Sequence, residues 1–423
     1  MKRQIIKEIL LDQRELYLDI PYNHRDYALE TNVNYCFVGI RRTGKSYLLY
    51  QLAHLFIDSG IPEQQIIFVN FEDERLLELR TEDFNTILEI AYELAGTENK
   101  PYFFLDEIQN VKGWENFVRR LADMKFCVNI TGSNSKMLSR EIASTLGGRF
   151  MMVPVYPYSF PEFLMANGTK NNPGNITTKT RAKINSLFST YLHDGAFPEL
   201  VNIANRKDYL NSIYQTIYLG DIIAKHNISN DFAMRLIMKK IAESIMKSLS
   251  FGRLTNILKS AGLSLGKQTV INYVGYAREA LLIFSITNFA SKLVDKETSP
   301  KYYFMDNGLI SLLSVGNIDS VLLENLAAIE LSRRYGTDNV FYFEKNIEVD
   351  FVIPEHNLAF QVCLNLSDSE TYERETKAFI SLKKFLPDMK CIILTLDEER
   401  NIDINGMQIR AIPMWKWMMA HKD

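Results

Sequence analysis

The sequence predicts an α/β fold: an N-terminal part on a parallel sheet, a helical middle, and a C-terminal α/β tail. Three observations carry that expectation. A glycine-rich loop at residues 39–46 stands between an apolar run and a breaker-free helical run. Two further strand-length apolar runs, at 65–71 and 101–105, follow with a helical stretch between them, as in βαβ units. Beyond residue 180 helical spacing dominates, and short strand-like runs return after residue 340. With 423 residues and 47% hydrophobic side chains the chain can bury several cores, and segments 1–165, 166–315 and 316–423 are expected.

Gly39-Ile40-Arg41-Arg42-Thr43-Gly44-Lys45-Ser46 fits G-x-x-x-x-G-K-[ST]. The apolar run before it, Val33–Val38, reads as a buried strand, and Tyr47–Phe56 after it has helical spacing. Strand, glycine loop and helix are the setting this motif needs. The glycines let backbone N–H groups turn inward around a phosphate, and the helix N-terminus adds partial positive charge at the same point. Gly39, Arg41, Arg42, Thr43, Gly44, Lys45, Ser46 and Tyr47 are therefore expected to surround bound ATP. Lys45 should reach the β/γ-phosphates and Ser46 should ligate Mg²⁺.

Residues 1–32 read as a helix and a polar approach, with Arg14, Glu15 and Arg25 as surface charges. Gln65–Phe71 is the next strand, closed by Glu72-Asp73-Glu74, and Thr81–Ala95 is an amphipathic helix. Pro101-Tyr102-Phe103-Phe104-Leu105-Asp106-Glu107 then gives a continuous apolar run ending in two carboxylates. Such a run suits a strand buried on both faces. Asp106 is expected to hold Mg²⁺ through water, and Glu107 to orient or activate the attacking water. Phe126–Thr131 is a further strand whose polar end, Gly132-Ser133-Asn134, points to Asn134 or Ser133 as a γ-phosphate sensor. Arg149, in Gly147-Gly148-Arg149-Phe150, reads either as an arginine finger, acting in its own subunit or across a homo-oligomer, or as an edge residue of the sheet.

Together Gly-Ile-Arg-Arg-Thr-Gly-Lys-Ser, Asn-Phe-Glu-Asp, Phe-Leu-Asp-Glu-Ile-Gln, Thr-Gly-Ser-Asn and Gly-Gly-Arg-Phe resemble the AAA-type ATP-binding proteins of bacteria and archaea. In these an N-terminal ATPase precedes a nuclease-like C-terminal domain. The resemblance continues at Tyr158–Phe163, His193–Glu199 and Tyr303–Leu309. It implies an AAA-type ATPase over 1–165 and a restriction-endonuclease-like domain over 316–423.

The stretch 168–179, with Pro173-Gly174, reads as a loop. Residues 181–250 are helical by spacing, with Met234, Met238 and Met246 as core. Residues 251–315 suggest a winged helix-turn-helix: a helix from Leu254, a turn at Gly262–Gly266, a recognition helix from Lys267, and wing strands at 284–289 and 301–304. Lys267, Gln268, Asn272 and Arg278 would face DNA, as residues on a helix placed in the major groove do. In the tail, three strand-like runs with Glu324 on the preceding helix resemble the PD-(D/E)XK nuclease core. Asp350 fits its first acid. Gln361 stands where the second acid belongs, and Cys363 where the lysine belongs. An amide is a poor ligand for a hard cation and a thiol supplies no positive charge, so the tail reads as a nuclease fold that has lost cleavage.

Charge separates these parts. Residues 160–315 carry 18 Lys and Arg against 11 Asp and Glu, whereas 316–423 carry 12 against 18, so a polyanion would meet the middle. No apolar run has membrane-spanning length, and the four cysteines lack metal spacing, which suits a reduced, cytoplasmic protein. The sequence thus points to an Mg²⁺-dependent ATPase acting on DNA, or to a non-hydrolysing ATP switch that binds a protein partner. An active nuclease is disfavoured.

Overall fold

The computed structural model describes residues 2–138, 140–169, 177–292, 296, 298–404 and 406–420. The loop expected at 168–179 lies largely outside them. The chain forms two compact units, Met1–Tyr156 and Pro157–Asp423, where three segments were expected.

In the first unit the elements run α1 (Arg3–Asp19), β1 (Tyr35–Val38), α2 (Lys45–Asp58), β2 (Ile66–Asn70), α3 (Phe84–Ala95), β3 (Tyr102–Asp106), α4 (Trp114–Asp123), β4 (Val128–Gly132), α5 (Arg140–Leu146) and β5 (Met151–Pro154). The five strands form one parallel sheet in the order β2-β3-β4-β1-β5. Residues 103–106 of β3 are all buried, as the continuous apolar run requires. On α3, Phe84, Ile87, Leu88, Ile90, Ala91 and Ala95 are buried, a helical spacing that lays one face on the sheet. A parallel sheet puts every strand's carboxyl end on one edge. That edge therefore gathers the loop after β1, the end of β3 at Asp106 and the end of β4 at Gly132.

The second unit begins with helices: α6 (Phe160–Ala166), α7 (Thr178–Asp194), α8 (Arg206–Gln215), a π-helical stretch (Thr216–Ala224), α9 (Asp231–Ala242), α10 (Phe251–Ser260) and α11 (Lys267–Glu279). An antiparallel pair follows, β6 (Ile283–Asn288) with β7 (Lys301–Phe304), then α12 (Asn307–Leu313) and α13 (Asp319–Tyr335). The tail adds β8 (Phe341–Glu344), β9 (Glu348–Ile353), β10 (Leu358–Val362), α14 (Ser369–Leu382), β11 (Lys390–Thr395), β12 (Arg400–Ile404), β13 (Met407–Pro413) and α15 (Met414–Met419). One mixed sheet, β12-β13-β11-β10-β9-β8-β6-β7, holds them together. The expected break at 315/316 is absent because β6 pairs with β8 at Thr287 and Asn288, which builds the hairpin into the tail's sheet. Met234 and Met238 are core residues, but Met246 is 37% exposed, against expectation: it follows the end of α9 and lines a pocket.

Candidate nucleotide site

The loop between β1 and α2 is shaped by its glycines. A Cβ on Gly39 would lie 2.1 Å from the carbonyl oxygen of Val155, so only glycine lets the loop leave β1 beside β5. Gly44 takes φ +88° and Arg42 φ +67°, left-handed conformations that fold the loop tightly onto the start of α2. Inside the turn the Thr43 hydroxyl donates to the Ile40 carbonyl at 2.9 Å. This is a short, rigid cradle opening at a helix N-terminus, which fits a phosphate chain.

Lys45 opens α2 and is 4% exposed. Its ammonium lies 3.1 Å from Glu107 Oε1 and donates to the Ile40 carbonyl at 3.4 Å. A buried ammonium with one carboxylate and one carbonyl is a cation placed for a further anionic partner. Glu107 follows β3 with a left-handed backbone (φ +50°), a strained setting for a glutamate that turns its side chain back toward Lys45. Its N–H donates to Thr131 Oγ1 at 2.9 Å, and its Oε2 accepts from Gln109 Nε2 at 2.5 Å. Burial pushes its carboxyl up, but Lys45 and the Gln109 bond hold it below the usual range, so Glu107 is a carboxylate.

Asp106 is 1% exposed. The Thr131 hydroxyl donates to its Oδ1 at 2.5 Å and the Ser46 hydroxyl also bonds its carboxyl. Burial, then the neighbouring Glu107, push it up to about 6 despite these donors and Lys45. A hydroxyl and a buried carboxylate held together are the all-oxygen donor set that Mg²⁺ takes while keeping several waters. Ser46 and Asp106 fit that ion.

Residues 32–164 match the AAA domain family and residues 185–319 match a domain of unknown function, DUF8612. The chain is 32% identical to the uncharacterized protein MJ1544 of Methanocaldococcus jannaschii, over 99% of this chain and 96% of that one. It belongs to the MJ1544 family. An uncharacterized protein of Haemophilus influenzae is 27% identical over 89% of this chain and 92% of its own. Among solved structures, the Walker-type ATPase PABY2304 of Pyrococcus abyssi aligns over 74% of this chain and 96% of its own, at 13% identity and a TM-score of 0.41, a likeness too low to carry an argument. The first unit of this family member is thus a P-loop ATPase domain of AAA type.

Its other expected site residues divide. Arg41 reaches across to Glu72 at 2.7 Å, tying the loop to the end of β2, and Glu72 is thereby a partner of the loop. Arg42 and Tyr47 are exposed at the loop and the first turn of α2. Asn134 turns its Oδ1 back to the N–H of Lys136 at 2.8 Å, while Ser133, buried, lies 3.4 Å from Gln109 Nε2 and so joins the Glu107 cluster. Arg149 does not join it. It precedes β5, whose Met151 is in register with Tyr35 at the start of β1, so it sits at the amino edge of the sheet, opposite the loop. There it pairs with Asp123 at 2.6 Å and takes its sheet-edge reading within this chain.

Sequence reading missed four residues that the fold brings in. Arg25, expected at the surface, is 2% exposed; its guanidinium donates to the carbonyls of Thr43 at 2.8 Å and Tyr156 at 2.9 Å, clamping the loop to the segment after β5. Gln51 on α2 fixes Arg25 in turn, accepting from its N–H at 2.7 Å and donating to its carbonyl at 3.1 Å. Gln109 and Thr131 lie inside the two segments Asp-Glu-Ile-Gln and Thr-Gly-Ser-Asn, and that proximity was their only signal.

In the second unit Glu324, Asp350 and Gln361 line one pocket, and Cys363 does not. Gln361 Oε1 accepts from the Asp350 N–H at 2.8 Å, and Asp350 Oδ2 accepts from the Val362 N–H at 2.8 Å, so the amide serves to fix Asp350. Cys363 is packed among Ala359, Val349 and Phe379 in the apolar core, where burial pushes its thiol up to about 12. Among the described residues no group of three or more acidic, His or Cys side chains is arranged to hold a metal ion. None of the described helices is long and apolar enough to cross a membrane, and all four cysteines are free.

Proposed function

We propose that this protein is an Mg²⁺-dependent ATPase that couples its nucleotide state to a winged-helix body contacting DNA, with a nuclease-like tail that no longer cuts. The observation that carries the ATPase reading is the buried Lys45–Glu107–Asp106 group at the mouth of a glycine-shaped loop. Mg²⁺ bound with ATP would supply positive charge that stabilises the phosphates during transfer. Lys45 offsets the charge of the β/γ-phosphates, Ser46 and Asp106 hold the cation, and Arg25 keeps the cradle closed. Glu107, an ionised base, takes a proton from the attacking water. Gln109 and Thr131 hold Glu107 in place for that step.

The DNA reading rests on α11. Lys267, Gln268, Asn272 and Arg278 are exposed on it, in the part of the chain with excess positive charge, and the β6–β7 pair follows as a hairpin. A second reading, an ATP-gated switch without turnover, draws on the Lys45–Glu107 ion pair, which occupies the base. ATP turnover measured with and without duplex DNA separates them. Hydrolysis that duplex DNA stimulates supports the first reading. ATP binding with no hydrolysis in either condition supports the second.

A further inference from the structure

One pocket of the second unit, about 490 Å³, is lined by Glu324, Glu348, Asp350 and Glu375 and also by Lys247, Arg374 and Lys377. Two of these acids, Glu324 and Asp350, sit where a nuclease-like tail would bind a divalent ion, and that ion does not fit. The reason is a lysine from outside the tail motif. Lys301, the first residue of β7, is 0% exposed, and its Nζ lies 2.7 Å from Glu348 Oε1 and 3.5 Å from Glu324 Oε1. The ring of Tyr342 closes a further side at 5.3 Å from the ammonium, and the Tyr303 hydroxyl donates to Glu324 Oε1 at 2.9 Å.

We infer that Lys301, packed behind the pocket wall against Glu324 and Glu348, takes the place of a divalent metal at these two acids. A second buried cation at that point would meet the ammonium at short range and in a low dielectric, where like charges repel strongly. Desolvation alone would favour the neutral amine, but Glu324, Asp350 and Glu348 together keep it charged. The wing hairpin thus supplies the tail's missing positive charge through packing: Cys363 at the lysine position of the motif is turned into the core, and the cation arrives on β7 instead. The pocket is built to hold its shape without metal, which makes the tail a metal-independent module. This goes beyond the proposed ATPase and does not depend on turnover.

The test is Mn²⁺ binding to the full-length, nucleotide-free protein, followed by calorimetry and by melting temperature. Wild type is expected to show no saturable site below millimolar Mn²⁺. Lys301→Met, which keeps length and removes charge, should bind Mn²⁺ at least tenfold more tightly than wild type, and Lys301→Arg should behave as wild type. A Lys301→Met protein that melts early without metal and recovers with Mn²⁺ supports the inference. One that melts early regardless of Mn²⁺, or that stays stable and gains no Mn²⁺ site, overturns it. So does micromolar Mn²⁺ binding by wild type that disappears in Asp350→Ala. None of these outcomes depends on ATP hydrolysis, so failure here is distinct from failure of the ATPase reading.

Discussion

Replacing Arg25 by Met should cost the first unit both its stability and its nucleotide. The guanidinium is buried and donates to two carbonyls, Thr43 and Tyr156, which have no solvent to turn to if it is removed. Hydrogen bonds involving a charged group contribute about 1.5–3 kcal/mol each, so two of them give roughly 3–6 kcal/mol. Methionine fills part of the volume and recovers some apolar burial, about 1 kcal/mol by the usual transfer value per methylene. The expected net loss is about 2–5 kcal/mol. Because Thr43 lies within the cradle, ATP affinity should fall at least tenfold under conditions where the variant is still folded. Urea unfolding followed by a probe in the first unit gives the stability, and titration of a labelled nucleotide gives the affinity. Arg25→Lys should recover only part of both, since an ammonium cannot span the two carbonyls as the guanidinium does. A variant within 0.5 kcal/mol of wild type, with unchanged affinity, would refute the clamp, that margin being about the scatter of surface substitutions.

Lys45→Ala should abolish measurable ATP binding while leaving the fold intact, since it removes the main fixed charge facing the phosphates; equal affinity by titration would remove the assignment. Affinity for Mg²⁺–nucleotide should weaken as pH falls through about 6, because protonation of Asp106 removes an anionic ligand. The sign for the nucleotide-free unit is opposite: with its carboxyl raised in the fold, Asp106 binds a proton there that the unfolded chain has lost, so its contribution to stability falls as pH rises from about 4 to 6. Asp106→Asn should flatten both trends, read by titration and by melting across that range. Reversing Lys267 and Arg278 to Glu should lower duplex affinity and reduce its slope against log salt by about 1.8 if both contact phosphates; an unchanged slope would give α11 a packing role. Cys363→Lys, which would restore the tail's motif lysine on paper, should instead destabilise the second unit by several kcal/mol, since it buries an unpaired ammonium among Ala359, Val349 and Phe379; a stable variant that nicks DNA with Mn²⁺ would contradict this placement.

The loop edge of the first unit was legible because its residues are close in the chain. Gly39, Gly44, Lys45 and Ser46 are close in the chain, and the apolar run before Asp106 forces a buried strand whose end meets the loop. Arg25 was not legible, because an arginine in a polar stretch reads as a surface charge, and its burial depends on carbonyls 18 and 131 residues away. Arg149 shows the same limit from the other side. Glycines beside an arginine suggest a mobile finger, yet strand register puts it at the wrong edge of the sheet. In the tail, Asp350 and Gln361 line one pocket, whereas Cys363, two residues beyond Gln361 and by alternation on the same strand face, does not. The pocket ends one residue before it and the apolar core begins, a difference of depth that alternation cannot express. Lys301 lies outside the tail motif altogether, and only the pairing of β6 with β8 brings its strand to that sheet.

The most direct test of ATP turnover is phosphate release from ATP by wild type and by Glu107→Gln, with ATP binding measured on the same samples. Glu107 is the ionised carboxylate beside Lys45, held by Gln109 and Thr131. The amide keeps the shape and one acceptor oxygen, in place of the two that face Lys45 and Gln109, but cannot take a proton. Wild type should show Mg²⁺-dependent release, and the variant a loss of about 100-fold or more, the usual scale of general-base catalysis, with ATP still bound. Equal release by the two proteins would contradict the role given to Glu107, and bound ATP without release by wild type would make the protein a switch.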